Sequence, residues 1–415
     1  MRILYTIGLY LYAMIAHLVA IRNAKAKQWI KGRKQSFSRL EQVFKHNTQP
    51  VIWFHAASLG EFEQGRPVIE AFKKKHPNYK ILLTFFSPSG YNVRKQYEFA
   101  DCIVYLPLDT PRNAKRLINI VKPTCTVFIK YEFWFNFLHR LHKRHIKICF
   151  ISVIFRKNQY FFKPLCGWFR KQLRNIDYFF VQNEESVNLL QSIGITNVSI
   201  SGDTRFDRVA AIAMQNKPID LIAKFKGQKK LLVVGSSWVK DERLIASIIP
   251  NLEQEFQFLI VPHEIDEIHL SRLALLIAQP TVWFSHSDEE NLSDYRVMIV
   301  DEIGWLSQMY RYADIAYIGG GFGKGIHNTL EPAVFGIPLF FGTNYRKFQE
   351  ACDMVDLGGA FVVSDAPMML SKIQRLMNNP KDYDTVCTTV KQYVARNIGA
   401  TERIMAKLSE WQQTA

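Results

Sequence analysis

The chain has six cysteines, and no two of them form a C-x-x-C pair. Cys102, Cys125, Cys149, Cys166, Cys352 and Cys387 are scattered, mostly in apolar runs. That excludes a thioredoxin-like motif and a cysteine zinc site, and fits reduced core residues of a cytosolic body. A Walker loop and a G-x-S-x-G nucleophile elbow are both missing. So are an RNP signature, zinc-finger spacing and a basic zipper, which leaves nucleic acid without a motif. His139, His142 and His145 recur every third residue but have no carboxylate beside them, so no metal site emerges. Acidic residues are scarce: 37 Asp and Glu stand against 53 Lys and Arg, a net charge of +16. Such a balance calls for an anionic partner, here a membrane surface or a phosphorylated substrate. Between Phe133 and Ile176 there is no acidic residue at all, and ten basic ones. Phe155, Tyr160, Phe161, Phe162, Trp168 and Phe169 are interleaved with them. This stretch reads either as a contact with an anionic membrane or as a solvated basic face over buried aromatics.

What is present is a globular composition. Apolar residues make up 48% and charged residues 22% of 415, enough for two or three domains. Ile3 to Ile21 carries no formal charge, and nineteen helical residues rise about 28 Å, close to a bilayer's hydrocarbon thickness. From Arg22 to Gly60 eight Lys and Arg face one Glu, which would hold the body on the cytoplasmic side. A cleaved signal peptide, with Ala24-Lys25-Ala26 as its site, and a helix lying in the membrane plane are the alternatives.

After Pro50 the chain alternates apolar strands, small-residue loops and helical patterns. Val51–His55, Lys80–Phe86, Cys102–Pro107, Thr124–Ile129, Ile148–Val153, Tyr178–Gln182 and Val198–Gly202 form one series. Asp207 to Gln228 is polar and marks a boundary. Leu231–Gly235, Phe256–Val261, Val297–Val300, Ile315–Ile318 and Pro338–Phe341 form a second series. The pattern predicts an α/β protein with two doubly wound, Rossmann-like domains facing across a cleft, with ligands at the carboxyl ends of the strands.

Several strand ends carry residues suited to chemistry. Asp314 to Pro338 runs from a strand into Gly319, Gly320, Gly321, Gly323 and Gly325, then into a helix expected near His327-Asn328, with Glu331 one turn on. Glycines there let backbone approach a ligand, and a helix N-terminus suits a phosphate. Glu61 follows a strand and a small-residue loop, and can serve either as a general base or, at S-x-x-E spacing from Ser58, as a helix cap. Glu132 lies in Lys130-Tyr131-Glu132-Phe133-Trp134-Phe135-Asn136, either paired with Lys130 or aimed at substrate. Arg205 can meet a phosphate or pair with Asp207. Ser236, Ser237 and Glu242 follow another strand, where a hydroxyl binds phosphate or caps a helix.

Taken in order, these pieces resemble the bacterial 3-deoxy-D-manno-octulosonic acid (Kdo) transferases. The resemblance rests on His55-Ala56-Ala57-Ser58-Leu59-Gly60-Glu61, Pro107-Leu108-Asp109, Tyr131 to Asn136, Gly202 to Asp207, Val300 to Gly304, Gly319 to Gly321, Gly325 to Pro332 and Asn344 to Phe348. It implies a GT-B fold with an N-terminal membrane anchor (1–22), an acceptor domain (23–212), a nucleotide-sugar domain (213–398) and a C-terminal helix (399–415) crossing back to the first domain. It implies CMP-Kdo as donor, a lipid A precursor as acceptor, an inner-membrane location and no metal or other cofactor. Glu61 matches the catalytic base and Glu132 a second acidic residue of the acceptor side. Ser58, Gly60 and Trp134 fall on the acceptor side. Arg205, Ser236, Gly320, Gly321, His327, Asn328 and Glu331 fall on the donor side. The chain departs from the family at Lys130 (usually Glu), Phe135 (usually Pro), Trp238 (often His) and Val261-Pro262-His263 (lacking an Arg).

The expected reaction is inverting transfer of Kdo from CMP-Kdo to lipid A precursor. Three alternatives stand beside it: another GT-B nucleotide-sugar transferase acting on a membrane lipid, a sugar-nucleotide epimerase, and a non-catalytic basic protein of the membrane surface.

Overall fold

Short apolar runs flanked by Gly, Pro, Ser and Asp become parallel strands, because parallel sheets are covered on both faces and need no alternation of polarity. The computed structural model describes residues 1–215, 218–252, 256–286 and 291–413; for Lys25 and Gln413 it describes the backbone alone. The chain divides into two units, Met1–Asp207 with Gly399–Ala415, and Arg208–Ile398.

The first unit holds strands β1 (Val51–Ala56), β2 (Lys80–Phe85), β3 (Cys102–Tyr105), β4 (Cys125–Ile129), β5 (Lys147–Val153), β6 (Tyr178–Val181) and β7 (Val198–Ile200). They form one parallel sheet in the order β3-β2-β1-β4-β5-β6-β7. Every residue of β1 is buried. Trp53, Leu82, Phe128, Phe150 and Phe179 pack on one face of this sheet. Phe54, Ile81, Leu83, Val127 and Ile151 pack on the other, where Ile404, Leu408 and Trp411 of the helix Ala400–Gln413 join them. Asp207 fixes the start of that helix by accepting from the N–H groups of Gly399 (2.5 Å) and Thr401 (2.6 Å).

The second unit holds β8 (Lys230–Ser237), β9 (Phe256–Pro262), β10 (Thr281–Trp283), β11 (Val297–Ile299), β12 (Ile315–Ile318), β13 (Leu339–Phe341) and β14 (Ala360–Val362). Their order is β10-β11-β9-β8-β12-β13-β14, again all parallel. The outermost pair, β10 and β14, was not expected from the sequence. Each is only three residues long, too short for a readable pattern, and each is defined by a neighbour distant in sequence.

Each sheet has a topological switch point, where consecutive connections leave in opposite directions. In the first it lies between β1 and β4; in the second, between β8 and β12. A non-glycine residue in the left-handed region marks each: Lys130 (φ 64°) just after β4 and Ser236 (φ 53°) near the end of β8. Such backbone costs about 1–3 kcal/mol per residue and persists where the surroundings over-determine it.

Before the first sheet lies a helix over Arg2–Val19, 18 residues with mean hydropathy 1.4 and no buried side chain. It is long and apolar enough to cross a membrane.

Candidate functional site

At the first switch point, β1 runs into Ala57 and Ser58, and Ser58 is the N-cap of the helix Leu59–Lys75. Glu61, in the first turn, folds back so that its Oε2 accepts from the N–H of Ala57 (2.6 Å) and of Ser58 (3.2 Å). The cap and the base are therefore not competing assignments. Oε2 carries the cap, and Oε1 accepts no hydrogen bond among the described residues. Burial, then the neighbouring Glu132 charge, pushes the Glu61 carboxyl up to about 7, against the pull of the two N–H groups and Lys130. Gly60 beside it is exposed, and a Cβ there would meet nothing within 4 Å.

Glu132 follows β4, the strand next to β1. Its Oε2 lies 3.2 Å from His55 Nε2 and accepts from Trp134 Nε1 at 2.8 Å. Trp134 in turn stacks on Phe86 at 4.8 Å between ring centroids. Ser58, Gly60, Glu61, Glu132 and Trp134 are thus gathered at one switch point. Phe135 and Asn136 begin the next helix, whose N–H groups at Asn136 and Phe137 donate to the buried Asp109 carboxylate (3.0 and 2.8 Å). Tyr5 of the N-terminal helix donates its hydroxyl to the same carboxylate at 2.8 Å. Burial raises the Asp109 carboxyl to about 6.

Arg205 lies beyond β7, at the sheet edge away from β1. It pairs with Asp203 (2.8 and 2.9 Å), whereas Asp207, the partner weighed from the sequence, holds the C-terminal helix. Asp203 also accepts from Gln64 Nε2 at 3.1 Å, and the Thr204 hydroxyl donates to the Gln64 carbonyl. Arg205 is thereby tied to the helix that carries Glu61, one turn further along.

The second switch point is built from backbone. Gly320 (φ 90°) donates its N–H to Asp241 Oδ2 at 2.8 Å. The same Oδ2 accepts from Trp238 N–H (2.9 Å), while Oδ1 accepts from the Tyr317 hydroxyl (2.8 Å). Asp241 therefore locks the entry of one loop to the exit of the other, and burial raises its carboxyl. One N–H of the glycine loop is consumed by the protein. Those of Gly321, Phe322 and Lys324 have no acceptor among the described residues. A Cβ on Gly321 would stand 2.5 Å from the nitrogen of Gly342, so the loops after β12 and β13 touch backbone to backbone.

The helix expected from His327-Asn328 is instead a single turn, Leu330–Ala333. Pro332, with no N–H to give the Asn328 carbonyl, keeps the helix from starting at Asn328, and Gly336 (φ 67°) follows its end, so no long helix dipole points at the glycine loop. Asn328 Nδ2 donates to Glu331 Oε1 at 2.9 Å. Burial raises the Glu331 carboxyl, opposed by that bond and by Arg208. His327 accepts from Trp238 Nε1 at 2.9 Å and packs on His263 at 4.5 Å between centroids; His263 stacks on Trp238 at 4.5 Å. Burial and His263 push the His327 imidazole down to about 4. Trp238, Asp241, Gly320, Phe322, Lys324 and His327 line a cavity of about 360 Å³. A neighbouring cavity of about 480 Å³, lined by Arg243, Gly321, Asn344 and Ser364, shares Lys240 and Phe322 with it. Ser236 contributes strained backbone against Gly319, and the hydroxyl of Ser237 is committed to Glu242 at 3.0 Å.

Asp241, Tyr317 and the Trp238–His263 stack were missed from the sequence as site residues. The signal was positional: Asp241 and Trp238 follow a strand end, as Glu61 does. In the basic stretch, Phe155 and Phe161 are buried and Phe133, Phe162, Trp168 and Phe169 pack against the core. Leu165 and Tyr160 remain exposed beside Lys157 and Lys163.

Residues 31–208 match the family model "3-Deoxy-D-manno-octulosonic-acid transferase (kdotransferase)". The chain is 25% identical to the 3-deoxy-D-manno-octulosonic acid transferase of Chlamydophila psittaci, over 89% of this chain and 88% of that protein. It is 26% identical to that of Rickettsia bellii over 96% of each, and 26% identical to that of Aquifex aeolicus over 81% of this chain and 88% of that one. Among solved structures, a putative UDP-N-acetylglucosamine 2-epimerase from Listeria monocytogenes superposes with a TM-score of 0.60 at 11% identity, over 89% of this chain and 98% of that one. Acinetobacter baumannii MurG gives 0.56 at 10% identity, over 87% and 99%. These structural likenesses speak to the fold alone. The chain is thus similar to the 3-deoxy-D-manno-octulosonic acid transferases along most of its length, on a two-sheet scaffold of GT-B type.

Proposed function

We propose that this chain is an inverting glycosyltransferase that moves Kdo from CMP-Kdo to a sugar hydroxyl of a lipid A precursor, without a metal. The observation that carries this is the divided carboxylate of Glu61. One oxygen is tied to two backbone N–H groups, the other accepts no hydrogen bond among the described residues, and burial raises the group to about 7. A base with that pKa holds its proton weakly enough to be regenerated, yet is ionised for half the molecules at neutral pH. Glu61 takes the acceptor's proton as its oxygen bonds to the anomeric carbon. The bond from that carbon to the phosphate breaks, and CMP leaves with the electron pair. The free N–H groups of the glycine loop, with Lys240 and Lys324 at the cavity, meet the charge on CMP. Asn328 and Glu331 address the ribose, and Arg205 holds the sugar acid or phosphate. The N-terminal helix and the basic stretch keep the protein on the cytoplasmic face of the inner membrane, where the acceptor lies.

The test is incubation of the full chain with CMP-Kdo and a lipid IVA-type precursor, followed by mass analysis of the lipid. A mass gain of one or more Kdo residues, competed by CMP and not by UDP and retained in a strong chelator, is expected. Competition by UDP alone, or release of free sugar, overturns the donor or the reaction; loss of activity in chelator overturns metal independence.

A further inference from the structure

The helix Arg2–Val19 meets the first unit along one face. Tyr5, Leu9, Ala13 and Ala16 recur every three or four residues and are half-buried, whereas Ile3, Leu4, Ile7, Leu11, Met14 and Leu18 on the opposite face are exposed. Specific contacts fix the inner face. Besides its bond to Asp109 (2.8 Å), Tyr5 lies edge-on to Phe135 at 5.1 Å between centroids, and the Thr6 hydroxyl accepts from Asn136 Nδ2 at 3.1 Å. Two turns on, Tyr12 lies edge-on to Trp29 of the helix Ala24–Lys34 at 5.8 Å. That second helix folds back beside the first. Arg33 near its end donates to the carbonyls of Phe86 (2.8 Å) and Leu106 (3.0 Å), just past β2 and β3. These contacts conflict with a crossing. A helix standing across a bilayer would carry Tyr5 about 21 Å from Val19 along the membrane normal. Asp109, Asn136 and the backbone after β3 would have to follow Tyr5 to that depth, where irregular backbone facing lipid finds no partners. Trp29 would follow Tyr12, and Lys27, Lys31 and Lys34 of its helix would go with it, at about 2.5–3.5 kcal/mol for each cation at mid-membrane.

We propose that this helix lies in the plane of the membrane interface instead of crossing the bilayer, with its outer stripe among the acyl chains of an anionic leaflet and its inner face fixed to the first unit. That the partner is a membrane rests on the function proposed above; the flat lie rests on the helix's own contacts. The stripe suits that occupant. It is apolar, and exposed positive charge flanks it, with Arg2 before and Arg22, Lys27 and Lys31 after. The basic stretch continues it. Phe135, which Tyr5 touches, packs against Trp168 (5.0 Å) and Phe169 (5.5 Å), and the exposed Leu165 and Lys163 lie just before them in the chain. The same residues tie the helix to the candidate site. Phe135 and Asn136 open the helix Phe135–Lys143, directly after Glu132 and Trp134. Phe86, whose carbonyl takes Arg33, stacks on Trp134. A flat helix therefore holds the loop after β4 at headgroup depth, where a lipid offers its sugar.

Depth measurements test this without any turnover. Ile3→Cys, Leu11→Cys and Leu18→Cys each carry a spin label in the full chain, one at a time. Cys166→Ser, Cys352→Ser and Cys387→Ser remove the half-buried thiols, while Cys102, Cys125 and Cys149 are buried. The three labelled positions are exposed, so a label there displaces no packed neighbour. The chain is reconstituted with vesicles of phosphatidylethanolamine and phosphatidylglycerol, and relaxation by oxygen against a water-soluble nickel chelate reads the depth. A flat helix puts all three labels at one depth, about 5–10 Å into the headgroup and acyl boundary. A crossing helix puts the Leu11 label deepest, about 10–12 Å below the other two. That pattern overturns the proposal, and so do labels that stay in water at all three positions. Flotation with phosphatidylcholine alone should recover several-fold less chain; equal recovery overturns the anionic leaflet as occupant. Equal depths in a chain that transfers no Kdo sink the transferase reading and leave the flat helix standing. Kdo transfer with Leu11 deepest does the reverse.

Discussion

The two switch points do different work with different material. At β1/β4 the chemistry is in side chains: Glu61, Glu132, His55 and Trp134 form a network of carboxylates and N–H donors. At β8/β12 it is in the backbone: glycines let two loops touch, and the one conspicuous carboxylate, Asp241, is spent on holding the loops together. On the proposed reading, the first moves a proton. On the same reading, the second offers N–H groups and space to a phosphate. The contrast predicts that conservative side-chain changes at the first point alter rate with little effect on fold, and that adding a single methyl at the second alters fold and ligand affinity together.

The sharpest break comes from Glu61→Gln. A Gln side chain still accepts from the N–H groups of Ala57 and Ser58, since Glu and Gln serve equally at this capping position. The unfolding temperature should therefore hold within a degree or two, while turnover falls by about 10²–10⁴. Near-normal turnover would reduce Glu61 to its cap and leave the first switch point without a base.

Gly321→Ala tests the second. The added Cβ would lie 2.5–2.9 Å from backbone atoms of Gly342, which cannot swing aside as a side chain does. Overpacking of this kind costs about 1–3 kcal/mol, several degrees in unfolding temperature, and CMP affinity should fall with it. The control is Gly60→Ala at the first point, where a Cβ meets nothing within 4 Å. Ala in a helical first turn stabilises by up to about 1 kcal/mol. An unchanged or raised unfolding temperature, measured by scanning calorimetry, is expected there. A rise in acceptor KM in that variant would report contact with the acceptor rather than damage to the fold.

The pH dependence separates the two points further. Glu61 must be ionised to accept a proton, and its carboxyl stands at about 7. The log of kcat/KM should fall with unit slope below pH 7 and level off above it. Glu132→Gln removes the neighbouring negative charge, so the limb should move to lower pH. Burial, the larger cause, stays, so it should not return to the ordinary carboxylate range. A limb that does not move would show that Glu132 is not ionised beside Glu61.

Much of this was legible because it is local. Strand ends are visible as apolar runs meeting small residues, and Glu61, Glu132, Ser236 and Gly319 all lie just beyond one. Which strand ends are neighbours was not legible, since β1 meets β4 and β8 meets β12 only through pairings 70 to 85 residues apart. The division of Glu61 between cap and open oxygen needs atoms, not spacing. The helix expected from His327-Asn328 does not form because Pro332 cannot bond the Asn328 carbonyl, a local signal that the phosphate-loop pattern masks. Asp241 stands where a helix-start carboxylate commonly does, and nothing in its neighbours reveals that Gly320, 79 residues on, needs it.

The smallest effect should come from Trp238→Phe, and it probes whether the second switch point is indifferent to side-chain hydrogen bonds. The change keeps a ring against His263 but removes the N–H that now occupies His327 Nε2. Burial and His263, which hold that imidazole at about 4, both remain. With Nε2 freed, the His327 pKa should rise yet stay below the ordinary value, so the ring is still neutral at pH 7. One neutral hydrogen bond is worth about 0.5–1.5 kcal/mol, which bounds the loss of CMP affinity at pH 7 to roughly tenfold. The expected loss is at the low end, because on the proposed reading the N–H groups of Gly321, Phe322 and Lys324, which have no acceptor among the described residues, meet the phosphate without His327. Calorimetric CMP titrations at pH 7 and pH 5, beside an NMR titration of His327, decide it. A loss well above tenfold at pH 7 would mean that the second switch point, like the first, recognises its ligand through a positioned side chain, and the division between the two would fall.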